Sequence, residues 1–427
     1  MKILWVTNVP LPEASLLMSE KPIAFGGWLV NAAANLAKEK NIKLEISFPK
    51  KGTKKVNILK AKDIIYYTFP SIGYSNKEKK KNNNLLYIIE KSKPDLVHIF
   101  GTECAHTLAM VNMCKKKNIN VVISIQGLLS YIAEHYMNGI PDKIQKKYTF
   151  RDFIKRDNLK LQKNKFVMRG KYEIEAIQKT NHVIGRTTWD NACTSIINPE
   201  IQYHHCNETL RDEFYKYSWD NTYCEKYSIF VSQGSYPIKG LHFLLEAMPI
   251  ILKRYPLAKI YIGGHDITNY ENLNNKLKIS SYGKYIKSLI KKYKLQEKVQ
   301  FTGVLNEKEM CKQYLKSNVF VCPSTIENSP NSLGEAMILG VPSVAANVGG
   351  ISDLLKHKEE GFIYQSDASY MLAHYICEIF GNEKIAINFS QKSKIKASQL
   401  HDAEVNNKKL LEIYLTISKK KIFNISS

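Results

Sequence analysis

No stretch of the 427 residues approaches the roughly 20 consecutive apolar residues that a membrane-spanning helix needs, so the chain is not expected to cross a bilayer. Nor do the eight cysteines form a Cys-x-x-Cys pair. Cys104, Cys114, Cys193, Cys206, Cys224, Cys311, Cys322 and Cys377 are scattered, which suits reduced thiols and argues against a disulfide framework or a zinc knuckle. His204-His205-Cys206 is the one local cluster of metal-binding types, and adjacent side chains of an extended segment point apart, so no metal is expected there. The apolar run Ile3–Thr7 stops at Asn8 and is too short for the core of a signal peptide, which makes a cytoplasmic protein the expectation. Also missing are a repeat of solenoid period, an RNP-type aromatic motif and a recognition-helix signature, so no nucleic-acid partner is expected.

Acid is scarce relative to base: 39 Asp and Glu stand against 62 Lys and Arg, a net charge of +23. The excess gathers in Lys77–Lys81, Lys143–Lys165, Lys284–Lys298 and Lys419–Lys421. In the second of these, Lys143, Lys146, Lys147, Arg151, Lys155, Arg156, Lys160 and Lys163 mingle with Tyr148, Phe150, Phe153, Ile154 and Leu159. A basic segment with an apolar face suits the surface of an anionic membrane. A general drift toward lysine, isoleucine and asparagine is the alternative origin of the charge.

What is present is an alternation of strand-like and helix-like runs, as at Lys259–Gly263, Val299–Thr302 and Ser343–Ala346, which calls for parallel sheets joined by right-handed crossovers. The length exceeds one ordinary α/β core, and 44% hydrophobic content allows two. The polar stretch from Glu208 to Glu225, with Arg211, Asp212, Glu213 and Asp220 interrupting the apolar pattern, is the natural place for the junction.

The densest information lies between Cys322 and Gly350. Val319–Cys322 reads as a buried parallel strand stopped by Pro323-Ser324. After a polar loop containing Glu327 and Pro330, Asn331 or Ser332 can cap a helix that runs through Leu333, Glu335, Ala336, Met337 and Leu339 until Gly340 and Pro342 end it. The amide groups and positive dipole end of such a helix favour a phosphate, while Glu327 and Glu335 can accept hydrogen bonds from sugar hydroxyls. A nucleotide diphosphate sugar fits that description. A second strand, Ile229–Ser232, leads through a turn to Lys239-Gly240 and a helix through Leu244, Leu245 and Met248. A third, Ile3–Thr7, is followed by Gly26-Gly27 at the start of a helix through Ala32, Leu36 and Ala37; paired glycines there let backbone approach a ligand or serve a turn of positive φ.

Glu327, seven residues, Glu335, then Ala336-Met337, Gly340-Val341-Pro342 and Gly349-Gly350, together with Lys239-Gly240 and Gly26-Gly27, resembles the donor site of retaining glycosyltransferase family 4, the glycosyl transferases group 1. The resemblance implies a GT-B fold, an α/β architecture of two Rossmann-like domains facing across a cleft. It divides the chain into an N-terminal acceptor domain over 1–215, a C-terminal donor domain over 216–405, and a helix and tail over 406–427. That last helix, with Leu410, Leu411 and Tyr414 on one face of Asn407–Ile417, would cross back to the first domain. By motif position Glu327 contacts the donor sugar and Glu335 the ribose, with Asn331, Ser332 and Leu333 beside them, and Lys239 and Gly26-Gly27 meet the diphosphate. Glu327 and Lys239 are the expected catalytic pair. The loop from Asn328 to Ser332 would choose the sugar.

The family usually pairs that lysine with an arginine in the preceding turn, whereas Gln233 or Gly234 stands there in this chain; backbone amides or a cation from elsewhere would complete the clamp. Many relatives carry a histidine where this chain has Gln126, which can hydrogen-bond but cannot shuttle a proton. His98, Gln126 and Arg186 are the acceptor-side candidates at strand ends. His98 also reads as a packed strand residue, and Glu173 and Glu175 read either as acceptor contacts or as surface ion pairs.

The implied reaction is a retaining hexosyl transfer without metal or cofactor. The diphosphate leaves, an acceptor hydroxyl attacks from the same face, and a leaving phosphate oxygen helps deprotonate it. UDP-sugar is favoured over GDP-sugar as co-substrate. The acceptor implied is a lipid-linked oligosaccharide of a capsule, O-antigen or exopolysaccharide, met at the inner face of the cell membrane. The alternative is a nucleotide-sugar-binding subunit that performs no transfer.

Overall fold

Short apolar runs bounded by polar turns bury both faces, as parallel strands must, and in the computed structural model they do so in two separate sheets. The structure describes residues 1–22, 27–74, 82–269 and 277–423. Two compact units emerge, one comprising 1–130, 167–209 and 401–427, the other 131–166 and 210–400.

The first unit is built on β1 (Lys2–Val6), β2 (Lys43–Lys50), β3 (Asn57–Lys60), β4 (Ile65–Pro70), β5 (Leu96–Phe100), β6 (Asn120–Ser124), β7 (His182–Gly185) and β8 (Gln202–His205). They pair in the order β3-β4-β2-β1-β5-β6-β7-β8, parallel throughout except for the β3–β4 hairpin. β1 registers Trp5 against His98 of β5, in the middle of the sheet. The helix Ala403–Phe423 belongs to this unit. It buries Leu410, Ile413, Tyr414 and Ile417 at i, i+3, i+4 and i+7 in the same core cluster as Ile3 and Trp5. Tyr414 anchors it, its hydroxyl accepting from Trp5 Nε1 at 3.0 Å and bonding His98 Nδ1 at 2.6 Å.

The second unit is built on β9 (Glu225–Val231), β10 (Lys259–Ile262), β11 (Val299–Phe301), β12 (Ser317–Cys322), β13 (Ser343–Ala346) and β14 (Phe362–Tyr364). Its order is β11-β10-β9-β12-β13-β14, every pair parallel. Counted within the unit this is 3-2-1-4-5-6, the doubly wound order in which ligands collect outside the carboxyl ends of the two central strands, where the winding reverses. Those strands are β9 and β12.

Two expectations about organisation change. The stretch 208–225 is no polar linker: Leu210, Phe214 and Trp219 are buried in the core of the second unit, and the indole of Trp219 donates to Ser317 O at 2.8 Å. The units therefore divide at 209/210 and 400/401 rather than at 215 and 405. Residues 131–166 join the second unit although they precede the cut in sequence. Tyr136, Ile140 and Leu159 enter its core, Thr325 donates to His135 O at 3.0 Å, and the amide of Ser281 donates to Asp152 at 2.8 Å. Tertiary burial, not position in the chain, assigns the segment.

Candidate active site

At the reversal point of the second sheet, the loops after β9 and β12 bring together two residues 88 apart in sequence. Lys239 Nζ lies 2.5 Å from Glu327 Oε1, and the Ser324 hydroxyl donates to the same oxygen at 2.8 Å. Burial disfavours the ammonium of Lys239, but the carboxylate beside it more than offsets this and the net shift is upward, so the lysine stays charged. The sequence placed Lys239 at a helix start. It ends instead a 3₁₀ turn, Pro237–Lys239, and Gly240 at φ +66° intervenes before the helix Leu241–Arg254.

The glycines of the motif have a packing reason. A Cβ on Gly240 would stand 1.7 Å from Pro323 O, and one on Gly349, at φ +51°, would stand 1.8 Å from Glu327 O. The amide of Gly350 donates to that same Glu327 carbonyl at 3.1 Å. Backbone from two other loops thus closes on the 323–327 segment, and only residues lacking Cβ permit the approach. Of the two positions where the arginine could stand, Gly234 is crowded, since a Cβ there would meet Ile262 Cγ2 and Leu241 Cδ2 at 2.8 Å, while Gln233 carries a half-buried side chain.

The helix Asn331–Leu339 begins as expected, but its cap differs. Pro330 occupies the N-cap and makes no side-chain cap hydrogen bond, so neither Asn331 nor Ser332 is the N-cap residue; both stand half-buried in the first turn. Leu333 has a fully buried side chain, and its amide donates to Pro330 O at 3.0 Å, which makes it a packing residue rather than a ligand contact. Glu335 is 7% exposed and already engaged. Arg211 donates to its Oε1 from Nε at 2.9 Å and from NH2 at 2.6 Å, and no bond reaches Oε2 among the described residues. Burial pushes Glu335 up to about 7, against the pull of the Arg211 guanidinium. Arg211 also lies over the Phe214 ring, 4.6 Å from its centroid. Sequence reasoning had placed Arg211 in a linker; its separation of 124 residues from Glu335 left no local signal. Cys322 is a buried strand residue whose thiol burial pushes up to about 12.

In the first unit the acceptor-side candidates separate. His98 is 0% exposed, its ring nitrogens are bonded to Tyr414 and to the Ser124 hydroxyl at 2.7 Å, and burial lowers it to about 3, so it is a neutral residue packed in the core. Gln126 and Arg186 do meet, through a residue that was not singled out: Glu208 accepts from Gln126 Nε2 at 2.6 Å and from Arg186 NH1 at 2.7 Å. Arg186 and Glu208, together with Trp5, Trp28, His98 and Phe100, border a cavity of about 50 Å³. Gly27 opens the helix Gly27–Ala37, whereas Gly26 lies outside the described residues.

The two neighbouring glutamates part company. Glu175 makes an i,i+4 surface pair with Lys179, while Glu173 is 0% exposed and accepts from Leu129 N at 2.8 Å, Ser130 N at 3.0 Å, the Ser130 hydroxyl at 2.8 Å and the Thr102 hydroxyl at 2.5 Å. At the reversal point of this sheet, between β1 and β5, Asn8 Nδ2 donates to Glu103 Oε1 at 2.5 Å. The carbonyl of Glu103 is held by Tyr74 at 2.6 Å and by Arg169. Burial raises the Glu103 carboxyl, and Arg169 and Asn8 act against it.

Residues 216–396 match the family model described as glycosyl transferases group 1. An uncharacterized glycosyltransferase of Methanocaldococcus jannaschii, MJ1607, is 31% identical over 137 residues, 32% of this chain. The match covers 31% of that protein, so the chain spans about a third of the curated relative's length. Sucrose-phosphate synthase from Thermosynechococcus elongatus superposes with a TM-score of 0.69 at 13% identity, over 98% of this chain and 99% of that one. HepE of Anabaena in complex with UDP-glucose does so at 0.68 and 14% identity, over 97% and 100%. At such identities the likeness shows the fold, an α/β protein with two parallel sheets of the GT-B type. The matched span holds Lys239, Glu327 and Glu335; Arg211 lies just outside it. Among the described residues no helix is long and apolar enough to cross a membrane.

Proposed function

We propose that this chain is a retaining glycosyltransferase that moves a hexose from a nucleotide diphosphate sugar, a UDP-sugar in preference to a GDP-sugar, to a hydroxyl of a lipid-linked oligosaccharide in surface polysaccharide biosynthesis. The observation that carries the reading is the Lys239–Glu327 pair at the reversal point of the second sheet, with Glu327 in the loop that leads to the helix start at Asn331. A diphosphate entering there meets a charged lysine and the positive end of a helix, and as it leaves, the lysine exchanges part of its contact with Glu327 for the growing charge on the phosphate. Glu327, released in proportion, accepts hydrogen bonds from the sugar hydroxyls. Glu335 offers Oε2 to the ribose while Arg211 steadies Oε1. The step needs no protein nucleophile, and the leaving phosphate oxygen takes the acceptor proton.

HepE, alike in fold, holds UDP-glucose in its crystal structure, which supports the choice of nucleotide. The acceptor half of the reading rests on the resemblance and on the basic surface. In the first unit, the Gln126–Glu208–Arg186 set offers two donors and a carboxylate to an acceptor.

The test is the thermal stability of the purified chain against UDP-, GDP-, ADP- and CMP-sugars, with Lys239→Ala and Glu327→Ala alongside. A ligand at a hundred times its dissociation constant stabilises by about 2.7 kcal/mol. One nucleotide class should raise the melting temperature in the unmodified chain and not in Lys239→Ala. A response from no nucleotide sugar, or one that survives both substitutions, would remove the donor site. Binding without transfer to any lipid-linked or soluble acceptor would favour the non-catalytic subunit.

A further inference from the structure

The helix Phe150–Lys155 is turned inside out. Phe150, Phe153 and Ile154 stand at i, i+3 and i+4 and therefore share one face. That face meets solvent: the three are 59%, 72% and 64% exposed, and Tyr148 just before them is 57% exposed. The charge points the other way. Asp152 is 0% exposed, closes a capping box with Thr149, accepts from the amide and hydroxyl of Ser281, and pairs with Arg151 at 2.9 Å. A surface helix ordinarily buries its apolar stripe and exposes its charges. Here the polar anchor to Ser281, and that of the Thr149 hydroxyl to Ile279 O at 2.7 Å, fix the helix on the second unit with the apolar side chains outward.

Cations surround the patch. Lys143, Lys146, Lys147, Lys155, Arg156 and Lys160 are exposed, and none has an ion-pair partner among the described residues. Asp142 is the one exposed carboxylate between residues 142 and 160. Five of those six cations are lysines. Protein interfaces favour arginine and deplete lysine, whereas a bilayer surface attracts either through its potential, roughly fivefold in affinity for each cation near it.

We propose that this face is a docking surface for an anionic lipid bilayer, with Tyr148, Phe150, Phe153 and Ile154 entering the headgroup boundary and the lysines meeting the anionic headgroups. The inference depends on the surface alone and holds whatever the donor experiment returns.

The full chain is sedimented with extruded vesicles of phosphatidylcholine, and of phosphatidylcholine and phosphatidylglycerol in equal parts, at low and high salt. The mixed vesicles should retain the chain at low salt and release it at high salt. Phe150→Ser/Phe153→Ser/Ile154→Ser should partition at least about tenfold more weakly, as should Lys146→Gln/Lys147→Gln/Lys155→Gln, both with unchanged melting temperature because every altered side chain is exposed. Four results overturn the proposal: no retention by mixed vesicles, equal retention by phosphatidylcholine alone, undiminished retention of the serine variant, or a dimer that this variant converts to monomer. Tighter binding to duplex DNA than to vesicles would assign the patch to nucleic acid and also overturn it.

Discussion

The two sheets reverse their winding at comparable places and furnish them differently. In the second unit the reversal point holds a full charge pair, Lys239 with Glu327, tied by backbone from three loops. In the first unit, between β1 and β5, a neutral amide, Asn8, faces the buried carboxyl of Glu103. A site that must meet a diphosphate needs a cation whose counter-charge can be exchanged, and the second unit has one. A site that meets only hydroxyls needs donors and acceptors already oriented, which is what Asn8, Glu103, Gln126, Glu208 and Arg186 offer. At the reversal points themselves, the same topology thus carries a charge pair in the second unit and an amide–carboxyl hydrogen bond in the first, whose ion pair, Arg186 with Glu208, follows β7 and β8 instead.

The sharpest way to break this contrast is at the charged site. Lys239→Ala should lower sugar transfer by about 10²–10³-fold, the loss typical of one donor to a developing negative charge, and should abolish the melting shift caused by nucleotide sugar. Measured beside it, Asn8→Ala should leave the melting shift intact; a lost shift would end the division of labour between the two reversal points. Next in size is Gly349→Ala, which forces the 327 and 349 backbones apart and should destabilise by about 3 kcal/mol while erasing the nucleotide response, read by chemical denaturation and the same melting assay. Tyr414→Phe strips a partner from both Trp5 and His98 in the core of the first unit. It should cost about 2 kcal/mol and leave the nucleotide response unchanged, since the second unit does not use Tyr414.

Two pH effects refine the comparison. Burial lowers His98 to about 3 and His106 to about 4 in the first unit, and His242 to about 4 in the second, from 6.5. Below about 6.5 the unfolded chain binds protons that these folded histidines refuse, so stability is complete above that pH and falls as pH drops, by up to about 1.4 kcal/mol per pH unit for each. Burial also lowers His401 in the first unit and His357 in the second, but His98 and His106, against His242 alone, carry the larger shifts, so the first unit should lose hydrogen-exchange protection first in mild acid, and His98→Asn should flatten its slope.

The smallest effect has the opposite sign. Glu335, raised from 4.5 to about 7, holds its proton in the folded state where the unfolded chain has released it. Its contribution is therefore full below about 4.5 and declines as pH rises through about 7, and Glu335→Gln should remove that decline from the melting profile.

Much of this was legible in the chain. Runs such as Val319–Cys322 and Leu96–Phe100 are apolar or nearly so because parallel strands bury both faces, and they became β12 and β5. Lys239-Gly240, Glu327 and Gly349-Gly350 were marked as one constellation, and the structure brings them within contact of each other. What misled was local polarity. Arg211, Glu213 and Asp220 read as linker because periodicity does not register that Leu210, Phe214 and Trp219 between them are core. Glu335 read as open because its partner is 124 residues away. His98 read as either core or site, and the structure packs it between Tyr414 and Ser124 at the edge of the cavity that Arg186 and Glu208 border. The charged clusters are less fully described: Lys77–Lys81 lies outside the described residues, and the side chains of Lys419–Lys421 do as well.

By itself the sequence determined the alternation of strands and helices, the need for two cores and the residue types of the loops, because each of these depends on periods of a few residues and on backbone freedom at particular glycines. Only the tertiary structure decided that Lys239 meets Glu327, that Arg211 occupies one oxygen of Glu335, that 131–166 packs with the second unit, and that the helix Phe150–Lys155 faces solvent with its apolar side. Each of those is a contact between segments distant in the chain, set by which buried groups find partners in three dimensions, and no local pattern carries that information.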